Sequence, residues 1–88
     1  MKNVTVKSVT NLANNQVIIR LTNGKKIFNS YGTNIVEIDG DKITLDETYW
    51  NYSNTTSKYR CQFLGELGTE TKKKIENGTY ILANLNEV

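Results

Sequence analysis

Residues 49–64 read YWNYSNTTSKYRCQFL, and the fold turns on this stretch. Tyr49, Trp50 and Tyr52 supply the large aromatics that favour a pleated surface, and Ser53 and Asn54 then interrupt. From there Thr56, Tyr59, Phe63 and Leu64 recur at three-and-four spacing while Lys58 and Gln62 fall on the other side, which is the period of a helix with one covered face. Ser53 or Asn54 is placed to cap that helix and Gly65 or Gly68 to end it. A sheet therefore stops at this point and the element that covers it begins.

Upstream of the junction the period is two. Val4 and Val6 alternate with polar neighbours, Asn11 to Asn15 supplies turn residues, and Gln16 to Thr22 places Val17, Ile19 and Leu21 on one face and Ile18, Arg20 and Thr22 on the other. Asn23-Gly24 signals a type I′ hairpin turn into a strand over Lys25 to Tyr31. Gly32 breaks the alternation as a bulge or bend, Asn34 to Ile38 resumes it, and Asp39-Gly40 turns the chain into Lys42 to Leu45. Downstream, Thr69 or Thr71 can cap a second short helix ending at Asn77-Gly78, and Thr79 to Leu82 reads as a last strand. The pattern predicts an α+β fold: an antiparallel β-meander of four or five strands, one or two short helices packed on it, and a short C-terminal strand, as one domain over residues 1–88.

Composition narrows the function. At 88 residues the core is small, so any site is small too. No apolar run reaches membrane-spanning length, and polar residues interrupt Met1 to Val9 where a signal peptide needs unbroken hydrophobicity, so a cytoplasmic protein with no membrane partner is expected. The single cysteine, Cys61, suits a reducing compartment. The N-x-S/T triplets at Asn3, Asn51, Asn54 and Asn77 matter only in a secreted protein. A net charge of +2 is too small for a dedicated duplex-DNA binder, but it is unevenly spread. Glu37, Asp39, Asp41, Asp46 and Glu47 face Lys42 alone, whereas Lys72, Lys73 and Lys74 are consecutive.

The absence of histidine removes imidazole acid-base catalysis, imidazole metal sites and Ser-His or Cys-His nucleophile pairs. Cys61 falls inside the helix rather than at its activating N-terminus, and reads as a small, partly buried residue. Asp39, Asp41 and Asp46 lack the spacing of a calcium loop and read as a solvated hairpin tip. Asp46 and Glu47, adjacent on a strand, point to opposite faces and cannot share a substrate atom. The glycines are isolated, so there is no glycine-rich phosphate loop. No cofactor, metal or catalytic residue is expected.

Aromatic and basic residues remain. Tyr49, Trp50, Tyr52, Lys58, Tyr59 and Arg60 combine what single-stranded nucleic acid uses for stacking and phosphate contact with what protein interfaces use as anchors. The plainer reading assigns Trp50, Tyr59 and Phe63 to the core and leaves Tyr49 and Tyr52 exposed. Lys72 to Lys74 span most of a helical turn, so at least two of them face water, where they serve solubility unless a partner lies alongside.

The run Trp50, Tyr52, Ser53, Thr55, Thr56, Lys58, Tyr59, Phe63, Leu64 follows the pattern W-x-Y-S-x-T-T-x-K-Y-x-x-x-F-L, flanked by Ser30-Tyr-Gly-Thr-Asn-Ile35 and Asn77-Gly-Thr-Tyr-Ile-Leu82. Over about Ile27 to Asn86 the chain resembles a family of small proteins encoded by phages and plasmids of low-GC Gram-positive bacteria. That resemblance carries no residue role. It implies a mobile-element protein that binds a larger host protein, such as a defence nuclease, in the manner of an anti-CRISPR inhibitor. The expected contact is the acidic hairpin with its neighbouring tyrosines: Glu37, Asp39, Asp41, Asp46, Glu47, Tyr49 and Tyr52. The alternative is a small accessory protein for single-stranded DNA or RNA using Lys58, Arg60, Lys72, Lys73 and Lys74 with the tyrosines. Open strand edges make a homodimer a further expectation.

Overall fold

In the computed structural model, which describes residues 4–86, the elements are β1 (Val6–Ala13), β2 (Gln16–Leu21), β3 (Lys26–Ser30), β4 (Thr33–Asp39), β5 (Lys42–Asp46), α1 (Asn54–Leu64), α2 (Gly68–Glu76) and β6 (Ile81–Ala83). They form one six-stranded sheet in sequential order. The first five strands are an antiparallel meander, and β6 adds to β5 in parallel. Parallel neighbours need a crossover, which α1 and α2 provide. The α+β architecture expected from the sequence is the one observed.

Cross-strand partners Ile18, Phe28, Val36 and Leu45 share the face that the helices cover. Phe28, Ile35, Val36, Leu45 and Tyr80 are buried there, with Trp50, Tyr59, Phe63, Leu64 and Ile75 packed against them. The rings of Phe28 and Phe63 stack with centroids 5.7 Å apart, locking α1 onto β3. Ile35 and Val36 are neighbours in sequence, yet both are buried. Phe28 pairs with Val36 and Asn29 with Asn34, so Ile35 is the extra residue of a bulge that turns both side chains inward.

The turns differ from the sequence expectation. Asn23-Gly24 is not the type I′ turn: only Gly24 has positive φ, within a loop closed by Gly24 N–H to Leu21 C=O and Leu21 N–H to Lys25 C=O. Both central residues are left-handed instead at Tyr31-Gly32, φ 52° and 81°, in the two-residue connection between Ser30 and Thr33. Gly32 therefore sits in a hairpin turn, not a bulge. β1 continues through Asn11 to Ala13, so its connection to β2 is shorter than the Asn-rich run suggests.

Ser53 caps α1, its Oγ accepting the Thr56 N–H at 3.1 Å, and Gly65 ends it in the left-handed conformation at φ 71°. Neither Thr69 nor Thr71 caps α2. Leu67 occupies that position, its own amide donating to Glu70 Oε1 at 3.0 Å, and Thr71 is buried in the helix. No helix among the described residues is long and apolar enough to cross a membrane.

Candidate ligand-binding surface

The residues between β5 and α1 are held by Asp46. One carboxylate oxygen accepts the Thr48 and Tyr49 amides at 3.1 and 2.8 Å, and the other accepts the Leu85 amide and the Asn86 side-chain amide at 2.9 and 3.0 Å. Burial pushes the Asp46 pKa up, but hydrogen bonds from Leu85, Tyr49, Thr48 and Asn86 outweigh it and hold the carboxyl below its ordinary value. Asp46 is 1% exposed, so it serves its own backbone and leaves the acidic surface set. The sequence pattern could not reveal this, because a strand-end Asp reads the same whether its partners are solvent or distant amides.

The rest of that set is dispersed. Glu37 pairs with Lys25 at 3.1 Å, and Asp39 lies 3.9 Å from the same lysine. Hydrogen bonding to Glu37, reinforced by its charge, raises the pKa of Lys25. Asp41 is exposed at the β4–β5 turn, whereas Glu47 and Tyr49 are exposed beyond the far end of β5. Five strand residues lie between Asp41 and Glu47, a separation of roughly 20 Å at about 3.3 Å per residue. The acidic tip and the tyrosines do not form one patch.

The tyrosines do converge on something else. Tyr31, Tyr49 and Tyr52 surround a concavity of about 480 Å³ whose wall includes Ser30, Ile35 and Thr56. Tyr49 and Tyr52 meet edge to face with centroids 5.4 Å apart. The wall is firm: Ser30 Oγ and Thr56 Oγ1 are hydrogen bonded at 3.0 Å in the buried layer, tying the start of α1 to the end of β3. Tyr31 was not expected at this site, since only the hairpin turn brings it opposite Tyr52.

On the other side of the 50–57 segment lies a second concavity of about 380 Å³, between α1 and the start of α2. Arg60 forms its base and is 1% exposed, contrary to its expected role as a surface contact. Its Nη1 donates to the Trp50 carbonyl at 2.6 Å, and its guanidinium lies 5.1 Å from the centre of the Trp50 ring. Lys58 and Lys72, both exposed, stand at the rim. Lys73 is exposed outside the cleft, and Lys74 is bound to Glu66 at 2.7 Å. The expected basic set thus divides: Lys58, Arg60 and Lys72 come together, while Lys73 and Lys74 do not join them.

Glu66 fastens this side of the molecule. Its carboxylate accepts from Thr71 Oγ1 at 2.6 Å and from Lys74 Nζ and Tyr80 Oη at 2.7 Å each, joining the α1–α2 connection to α2 and to the approach of β6. Burial opposes ionisation of Glu66, but Lys74, Thr71 and Tyr80 overcome it and lower its pKa. Among the described residues, no three Asp, Glu or Cys side chains gather in a way that could hold a metal ion.

These features define a small α+β protein with one covered sheet face and two adjoining concavities, one aromatic and one cationic, at the sheet-to-helix junction. The sequence matches the family of unknown function DUF8033 over residues 1–78, and the chain belongs to that family. No curated protein and no solved structure matches it.

Proposed function

We propose that this protein is a small accessory protein that binds single-stranded DNA or RNA and acts without covalent chemistry. The observation that carries the reading is adjacency: the concavity of Tyr31, Tyr49 and Tyr52 and the cleft of Lys58, Arg60 and Lys72 adjoin across one short segment. Unpaired bases stack on exposed aromatic rings while the backbone needs cations a few ångströms away, and stacking contributes about 1–3 kcal/mol per base. Fluorescence-anisotropy titration with single- and double-stranded DNA and RNA at two salt concentrations tests it. Preference for single strands with affinity falling as salt rises is the expected result; affinity indifferent to salt, or no binding, rejects it.

A second reading follows from the resemblance to mobile-element proteins: an anti-CRISPR-like inhibitor in the host cytoplasm that occludes a nuclease. The exposed Tyr31 and Tyr52, 62% and 71% accessible, favour it as anchors for a protein surface. Of the acidic residues, Asp39, Asp41 and Glu47 are accessible enough to contribute to such a contact. Size-exclusion chromatography with candidate host nucleases is the test, and absence of any complex counts against it.

A further inference from the structure

Arg60 is a buried cation without an anion. No carboxylate of the described residues lies within ion-pair distance of it. Its Nε is buried and has no hydrogen-bond partner. Nη1 has one short acceptor, Trp50 C=O, and two weak ones at 3.4 Å, Asn51 Oδ1 and Ser57 Oγ. Nη2 has only the thiol sulfur of Cys61 at 3.7 Å, a poor acceptor. Desolvating a guanidinium with Nε unpartnered and no counter-charge beside it is unfavourable.

The Trp50 ring, 5.1 Å from the guanidinium, offsets part of the charge, but the rest of the surroundings add to it. A β-carbon at Gly68 would stand 3.4 Å from Arg60 Nη2, so the guanidinium abuts the first residue of α2. The start of a helix carries partial positive charge and amides without intrahelical acceptors. Glu70, the acidic residue of that first turn, binds the Leu67 amide and leaves those of Gly68 and Thr69. Lys58 and Lys72 contribute two further charges at the rim, and among the described residues no acidic side chain lines the cleft. Three cationic side chains and a helix N-terminus therefore line one concavity of about 380 Å³, and among the described residues no carboxylate lines it.

We propose that this cleft binds a phosphate monoester dianion, held by Lys58 and Lys72 at the rim, by the Gly68 and Thr69 amides, and by the charge of Arg60 from below. A diester carries a single negative charge and leaves most of this potential unmatched, whereas a terminal phosphate carries nearly two and offers three acceptor oxygens. Helix N-termini bind phosphate by the same pairing of amides and dipole. The inference sharpens the nucleic-acid reading, on which it rests only for what bears the phosphate: the cleft takes a phosphorylated end, and the tyrosine concavity takes the bases beside it.

The test is amide NMR of the whole chain titrated with inorganic phosphate, with chloride at equal ionic strength as control, and then with short oligonucleotides carrying a 5′-phosphate or a 5′-hydroxyl. Saturable shifts of the Gly68 and Thr69 amides with phosphate but not chloride are expected. They should weaken about tenfold or more in the Lys58→Ala, Lys72→Ala double variant, whose exposed side chains leave the fold intact. The 5′-phosphorylated oligonucleotide should bind more tightly than its 5′-hydroxyl counterpart. Absence of saturable shifts, shifts untouched by the double substitution, or equal affinity for the two ends overturns the site. Equal affinity would still leave the nucleic-acid reading standing, whereas phosphate binding without oligonucleotide binding would uphold the site and remove that reading.

Discussion

At the scale of single residues, Tyr31 is the one whose backbone works against it. A non-glycine residue at φ 52° costs about 1 kcal/mol, and a bulky aromatic is a poor choice for the first central position of a hairpin turn. The residue nevertheless lines the aromatic concavity. Strain retained where a side chain faces a site is the pattern of a residue kept for binding. Tyr31→Asn should therefore raise stability by up to about 1 kcal/mol in urea denaturation while weakening oligonucleotide binding, because Asn tolerates the left-handed region but offers no ring to stack on. A variant both less stable and equally avid would contradict this. Asp46 poses the opposite problem, since all its interactions are internal. Asp46→Asn keeps the shape but cannot accept from four donors, and should cost about 3 kcal/mol, read as a lower denaturation midpoint. Asp46 and Glu66 also set the acid limit. Both have folded pKa values below their ordinary 3.8 and 4.5, so in that range the unfolded chain binds more protons. Their stabilisation is complete above the ordinary range and disappears as pH falls through it to the lower folded values. Alkaline conditions act on the same cluster from the other side. Lys74 is raised by its hydrogen bond to Glu66, and Tyr80 by burial and then by Glu66, so stability declines again as pH climbs past 10. Acid and alkaline unfolding curves followed by circular dichroism check both limbs.

At the scale of elements, α1 matters because it forms a wall of both concavities. Ser53 Oγ caps it through the Thr56 amide and also donates to Thr56 Oγ1 at 3.2 Å, and that hydroxyl is bonded to Ser30 on β3. Ser53→Ala should cost about 1 kcal/mol for the cap alone. It should also increase amide hydrogen exchange in the first turn of α1 while α2 stays protected by Glu66, so exchange localised to α1 identifies the cap as the cause. The helix, its cap and its glycine stop were legible from spacing, since these are local rules. The strands were legible for the same reason. The turns were less so: Asn23-Gly24 has the composition of a type I′ turn but forms a longer loop, while Tyr31-Gly32 forms the tight turn because the bulge at Ile35 fixes how β3 and β4 meet. Register of that kind depends on which faces are buried and is not written in a dipeptide. Arg60 escaped sequence reading similarly. On a helical wheel it lies near Thr56 and Phe63, on the covered side, but its charge made it read as a surface residue. The cleft above it is completed by Gly68 of a different helix, where an added β-carbon would lie 3.4 Å from Nη2, at the near edge of ordinary van der Waals contact.

At the scale of the molecule, a net charge of +2 understates what a nucleic acid would meet. Glu37 and Asp39 are engaged with Lys25, Asp46 and Glu66 are internal, Asp41 lies at the far end of β5, and Glu47, Glu70 and Glu76, though exposed, do not line the cleft. Binding by a local cluster has a different salt signature from binding by overall charge. If the two exposed rim lysines, Lys58 and Lys72, each neutralise one phosphate charge while Arg60 stays buried, the slope of log K against log salt should be about −1.4, at roughly 0.7 per contact. Removing both rim lysines should bring the slope close to zero, while removing Lys73, which lies outside the cleft, should leave it near its original value. The comparison is sharp because Lys73→Ala and Lys72→Ala change the net charge equally. Equal effects of the two substitutions would mean that the chain is held by diffuse attraction and that the cleft has no special part in it. A loss confined to Lys58 and Lys72 would locate the phosphate contact between α1 and α2, where the fold leaves its buried guanidinium unmatched.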